Sequence, residues 1–160
     1  NPAFMRKIAV FVLFLVLNFG ALAIGGILMG ASPVENNWYT SLNQAPWTPP
    51  GFVFGIAWTI IMLCFSMYLA TSSDFVLSEP KRRKTYIIHL VLNVAWNPVF
   101  FFLHLTWLAF PILIGLILTL IQLNRQMGYS FYTNKSWLLF PYFIWLVIAA
   151  SLNAYIAIMN

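Results

Sequence analysis

Between Thr85 and Leu105 an apolar run carries His89, Asn93, Asn97 and His104. At about 100° per residue these four fall within an arc of about 80° on a helix. Amides and imidazoles on one face of an apolar helix can bond a neighbouring helix, anchor a ligand, or ligate a metal. For Asn93 and Asn97, bonding to amides such as Asn18 or Asn153 is the plain alternative to a ligand role. Pro98 follows Asn97, removes a backbone donor and kinks the helix, which gathers unpaired backbone groups beside an amide. Such a place suits a polar anchor in an apolar cavity. His89 stands just beyond Lys84, and His104 at the far end of the run. Each reads as an interfacial histidine rather than an axial haem ligand, and no metal site is expected. The acids Glu35, Asp74 and Glu79 all fall between apolar runs, so conventional hydrolytic or proton-transfer catalysis within the spans is not expected. Cys64 is the sole cysteine, which excludes an intrachain disulfide and a cysteine metal cluster.

The elements that position these residues are set by composition. The 160 residues are 62% hydrophobic and 7% charged, far below the roughly 25% charge of a soluble domain, and mean hydropathy is +0.86. Five runs approach the 20 or so apolar residues a membrane helix needs: 8–29, 51–70, 85–105, 107–123 and 137–159. The third and fourth nearly meet at Thr106, so they form a tight hairpin. No alternating ten-residue pattern of a transmembrane barrel appears. The expected architecture is an all-α membrane protein, one five-helix domain over 1–160. Asn1 to Phe4 precede Met5-Arg6-Lys7, which looks like a natural start, so those four are read as added residues and set aside.

Charge supplies the topology. Arg6 and Lys7, the run Lys81–Lys84, and Arg125 with Lys135 make up all eight basic residues, and with five spans they share one side. The positive-inside rule then places the N-terminus and the basic loops inside and the C-terminus outside. Eight basic residues split among short loops make no continuous face for nucleic acid, so none is expected. The Lys81–Lys84 run is compatible with anionic lipid.

The loop between the first two spans, "NNWYTSLNQAPWTPP" from Asn36 to Pro50, has no basic residue. Pro46, Pro49 and Pro50 each fix φ near −65°, and Thr48 before Pro49 is pushed to extended backbone. A stiff aromatic loop costs little entropy to hold in one shape, which suits a lid. An interfacial belt that anchors helix ends is the alternative reading of its tryptophans.

Trp38-Tyr39, Pro46-Trp47-Thr48-Pro49-Pro50-Gly51 and Gly55-Ile56-Ala57-Trp58 resemble the signature of the translocator protein, or tryptophan-rich sensory protein, family. The likeness continues in Leu92-Asn93-Val94-Ala95-Trp96-Asn97-Pro98-Val99-Phe100-Phe101. It recurs in Pro141-Tyr142-Phe143-Ile144-Trp145, with Ala149 and Leu152-Asn153. Three motifs in register over the whole chain are specific, whereas a lone Trp-x-Pro-Pro would be weak.

The resemblance implies a five-helix bundle whose central pocket is closed by the long loop. Members bind porphyrins, haem, cholesterol and drug-like molecules and are usually dimeric. A porphyrin or haem ligand, no obligatory cofactor, a lipid bilayer and a homodimer are therefore expected. Carried over residue by residue, the lid comprises Trp38, Tyr39, Trp47, Pro49 and Pro50. The walls comprise Trp58, Asn93, Trp96, Asn97, Phe100, Tyr142, Trp145, Ala149 and Leu152. On spacing alone, Tyr142, Trp145, Ala149 and Leu152 share one helical face, which is as often plain core.

The leading expectation is a receptor or carrier acting in tetrapyrrole or stress regulation. One alternative is light- or oxygen-dependent protoporphyrin breakdown with Trp58 and Trp145 as the redox-active rings. Another is a structural partner using Ala21-x-x-x-Gly25 and Gly26-x-x-x-Gly30 as packing faces. Two departures from the family pattern matter. Tyr155 lacks the basic residue of the family's sterol pattern, and Leu123…Tyr129…Lys135 matches only a loose spacing, which puts sterol binding in doubt. Phe101 stands where many members have a small polar residue, so a narrower pocket is expected.

Overall fold

The computed structural model describes residues 1–71 and 76–160, so Asp74 lies outside the described residues. The elements are α1 (Pro2–Leu28), a short α2 (Asn37–Ser41), α3 (Gly51–Thr71), α4 (Pro80–Asn97) running into a π turn (Pro98–Phe102), α5 (Thr106–Gln126) and α6 (Phe140–Met159). No strand occurs among the described residues. Five helices, counting α4 with its π turn and α6 with the 3₁₀ turn before it, are long and apolar enough to cross a membrane.

Local chemistry sets the helix ends. Asn1 Oδ1 accepts from Ala3 N at 3.0 Å, so residues 2–7 extend α1 beyond the expected start at Ile8, and Pro2 to Phe4 are part of its first turn. Glu79 caps α4, accepting from Arg82 N at 2.8 Å. The expected start at Thr85 moves back to Pro80, and Lys81–Lys84 ride on the first helical turn rather than in a loop. That backbone N–H holds the Glu79 carboxyl below the usual carboxylate range. At the far end, Gly30 takes φ +80° just past α1, the left-handed position that commonly closes a helix. Gly26-x-x-x-Gly30 is therefore not a continuous helical face.

The expected kink at Pro98 is a π turn. Leu103 N donates to Pro98 O at 2.8 Å, a wide i→i+5 turn of the kind found at functional sites. A connector at 103–105 follows, with His104 at φ 58°, and α5 then runs back.

Spans consecutive in the chain alternate in direction, and the helices close into a ring in the order α1, α3, α6, α5, α4. Phe14 meets Tyr86 and Gly25 meets Val94, so α1 and α4 run parallel. Here the backbones come very close: a Cβ on Gly25 would lie 2.9 Å from Asn97 Nδ2 and 3.3 Å from Val94 O. Ala21-x-x-x-Gly25 thus packs inside its own bundle. Large apolar side chains such as Val16, Ile27, Val91, Leu118 and Val147 point outward, as lipid-facing residues do.

Buried polar side chains bolt the ring together. Asn18 Nδ2 donates to Ser66 Oγ at 2.9 Å and Asn18 Oδ1 accepts from Tyr86 OH at 2.6 Å, which joins α1, α3 and α4. Asn124 Oδ1 accepts from Tyr68 OH and Ser136 Oγ, fixing α5 to α3 and to the turn before α6. Of the alternative reading, in which Asn93 and Asn97 bond other helices, Asn93 follows the general form by donating to Tyr142 OH of α6 at 3.0 Å, while Asn18 and Asn153 bond other partners.

Candidate ligand site at the loop end of the bundle

The long loop folds over the end of the ring away from the basic residues. Asn36 begins α2 by accepting from Tyr39 N at 3.0 Å, and its amide donates to Phe101 O at 3.1 Å. This turns Tyr39 inward, where its ring meets Phe100 and Phe101 edge-on at 6.1 and 5.2 Å. Burial pushes the Tyr39 phenol above its ordinary range. Trp38 stacks on the His104 ring at 4.0 Å and meets Phe100 edge-on. Trp47 stays exposed, but its Nε1–H donates to Ser151 Oγ at 3.0 Å and its ring meets Tyr155. Pro49 is half-buried and Pro50 exposed, at the junction with α3.

Beneath the loop lies a cavity of about 30 Å³ lined by Tyr39, Phe54, Trp96, Phe100, Phe101, Ala149, Leu152, Asn153 and Ile156. That is room for about two waters. Trp96 lies flat against Phe100 at 5.2 Å. Its Nε1–H donates to Asn153 Oδ1 at 3.2 Å, while Asn153 Nδ2 donates to Thr106 O at 2.8 Å. One amide thus joins α6 to α4 and to the start of α5. The extra residue in the π turn lets the adjacent Phe100 and Phe101 both face inward, and both are buried.

A second aromatic group lies deeper. Phe54 meets Trp145 edge-on at 5.2 Å. Trp58 touches Trp145 at 6.5 Å and Tyr142 at 6.0 Å. Tyr142 OH takes part in hydrogen bonds with His89 Nε2 at 2.8 Å and with Asn93 Nδ2 at 3.0 Å. His89 Nδ1 pairs with Thr119 Oγ1 at 2.7 Å.

Apart from Trp38, Trp47, Pro49 and Pro50 of the loop, the structure divides the sequence-derived residues into three groups. Tyr39, Trp96, Phe100, Ala149 and Leu152 line the cavity. Trp58, Tyr142 and Trp145 form the layer below it, and Asn93 sits there with its Oδ1 buried and without a hydrogen-bond partner. Asn97 is apart from both, against Gly25 of α1, because the helix turns it away before the π turn begins. His89 is 1% exposed and wholly interior, which corrects its expected place at the interface. A residue so near a helix start goes inside here because Thr119 and Tyr142 occupy both of its ring nitrogens. Phe54, Asn153 and Ile156 line the cavity but were not among the expected walls. Phe54 stands four residues before Trp58, so the helical period alone could have found it.

Among the described residues no group of three or more His, Cys, Asp or Glu side chains is placed to hold a metal ion. The arrangement offers flat aromatic surfaces and a few inward polar atoms, a lining that suits binding.

The model of the TspO/MBR family matches residues 8–159. A Tryptophan-rich protein TspO of Archaeoglobus fulgidus is 29% identical over 88% of this chain and 90% of its own. The Tryptophan-rich sensory protein of Cereibacter sphaeroides is 36% identical over 54% of each chain. A Tryptophan-rich protein TspO of Bacillus cereus is 28% identical over 61% of this chain, and the match spans 58% of that relative's length. With a match that runs from the first span to the last, this five-helix integral membrane protein belongs to the TspO/MBR family.

Proposed function

We propose that the protein is a membrane receptor or carrier for flat apolar ligands of the porphyrin or haem type, held between the long loop and the ends of α3, α4 and α6. The observation that carries this reading is the aromatic cavity, to which three spans and the loop contribute walls. Offset stacking on such rings suits a tetrapyrrole. At about 30 Å³ the cavity is far below the 300–1,000 Å³ or so of a ligand pocket, so a ligand enters only when the loop lifts. The words "sensory" and "translocator" in the names of relatives fit a binding role in stress or tetrapyrrole regulation. A homodimer belongs to the same reading, and cross-linking in native membranes tests it.

Titrating the purified protein with protoporphyrin IX in the dark, following tryptophan quenching, tests the proposal. Saturable quenching supports it, and a linear response alone overturns it. A second reading, light-driven breakdown of the ligand, is favoured by the contact between Trp58 and Trp145. New absorbing products under light that vanish in a Trp58→Phe, Trp145→Phe variant would support it.

If the loop is the lid, Pro49→Ala with Pro50→Ala raises the ligand off-rate and leaves the on-rate within about a few-fold, since related sites are tuned mainly through dissociation. Trp38→Ala does the same, because the Trp38 ring stacks on His104 and meets Phe100 edge-on. Stopped-flow quenching reads both rates. Off-rates unchanged by every loop substitution would leave the loop a passive anchor.

The proposed orientation puts the basic end inside. A cysteine introduced at Ser41 is expected to react with an impermeant reagent from outside, and one at Ser78 is not. The reverse pattern overturns the orientation.

A further inference from the structure

We propose that Tyr142 is a one-electron relay, with His89 as the base that takes its proton. The chain of bonds around it has a direction. Thr119 Oγ1 can donate its single hydrogen to Leu116 O at 2.9 Å, and in that arrangement it accepts from His89 Nδ1, 2.7 Å away. In the tautomer this favours, His89 carries its hydrogen on Nδ1 and presents a lone pair at Nε2, 2.8 Å from Tyr142 OH. Asn93 Nδ2 donates to the same phenol oxygen at 3.0 Å, which leaves the phenol hydrogen aimed at the imidazole. The other hydrogen-bonded interior phenols differ: Tyr68 and Tyr86 donate to the amide oxygens of Asn124 and Asn18, which are too weak as bases to receive a proton.

The electron path meets the same ring. Trp58 lies edge-on to Tyr142 at 6.0 Å and to Trp145 at 6.5 Å. Loss of one electron from Trp58 to a light-excited aromatic chromophore leaves an indole radical cation. Tyr142 then returns one electron to Trp58 as its O–H bond breaks and an N–H bond forms at His89 Nε2. The products are a neutral indole, a neutral tyrosyl radical and an imidazolium. Phenol oxidation without a proton acceptor would produce a strongly acidic radical cation in a low-dielectric interior, so the placed base lowers the barrier. The spans contain no carboxylate to hold the imidazolium, so re-reduction of the radical sends the proton back to Tyr142.

This inference does not depend on the identity of a bound ligand. The protein, purified without added porphyrin, would be flashed with light that tryptophan absorbs and tyrosine does not, in the presence of a soluble one-electron acceptor that takes the electron lost by the excited indole. Transient absorption follows the indole radical, and low-temperature electron paramagnetic resonance identifies its successor. A tyrosyl radical formed as the indole radical decays, more slowly in D2O than in H2O, is expected. In Tyr142→Phe that signal is lost and the indole radical persists. In His89→Gln, which can hydrogen-bond but not accept the proton, formation slows at least tenfold, a barrier rise of about 1.4 kcal/mol. Thr119→Val, a milder change, slows it too and serves if either variant fails to fold. The same tyrosyl yield in Tyr142→Phe, or no tyrosyl radical in the wild-type protein, overturns the proposal. So does a rate indifferent to D2O and Thr119→Val, which would leave the network purely structural.

Discussion

Asn18→Leu is expected to destabilise the folded protein by about 2–3 kcal/mol, the cost of leaving a buried hydroxyl without its partner. Interhelical hydrogen bonds in membranes are worth on average only about 0.6 kcal/mol each, so two lost bonds alone would not decide the outcome. The deciding cost is the orphaned Tyr86 OH, which is buried at 1% exposure and donates only to Asn18 at 2.6 Å. The midpoint of SDS-driven unfolding in detergent measures this. Tyr86→Phe removes the same hydroxyl, so the double variant should be clearly less destabilised than the sum of the two. Strict additivity would mean that the two side chains do not depend on one another. Ser151→Ala, which removes the exposed bond from Trp47 and a donation to Ile148 O within its own helix, should stay within about 0.5 kcal/mol of the wild type.

Ala149→Leu is expected to weaken protoporphyrin binding more than tenfold, about 1.4 kcal/mol. Ala149 lies on the cavity wall, one helical turn past Trp145, and the space before it is about 30 Å³. A leucine there occupies the gap and presses on the rings opposite, and the overpacking costs at most about 1–3 kcal/mol of stability. Binding and folding are therefore to be measured on the same sample. Val147→Leu, on the exposed face, should change neither. Unchanged affinity in Ala149→Leu would remove α6 from the ligand site.

The five spans could be read from apolar run length, because lipid demands about 20 such residues and little else in a sequence does. Helix starts were harder. Glu79 looked like a loop acid and the run after it like loop charge, yet a carboxylate before Pro80 is a strong cap, and long basic side chains tolerate the first turn when their heads reach water. Trp96, Phe100 and Ala149, singled out in separate motifs, line one cavity. Asn97 and His89 did not follow. Helical spacing put both on one arc with Asn93, but an arc names a direction on one helix and says nothing of which neighbour fills it. Gly25, a residue with no side chain of its own, decides where Asn97 packs. Thr119, far away in sequence, decides that His89 is interior.

The small volume under the loop has a kinetic consequence for anything larger than two waters. If binding waits for an opening that occurs on its own, the association rate cannot rise without limit as ligand is added. It levels off at the opening rate, and affinity is reduced by the fraction of molecules open at any moment. The bonds that set this ceiling are those holding the loop: Asn36 to the Phe101 carbonyl, Trp47 to Ser151, and Asn43 to Asn160. Chemically unrelated ligands would then share one maximal entry rate, which is a property of the loop and not of the guest.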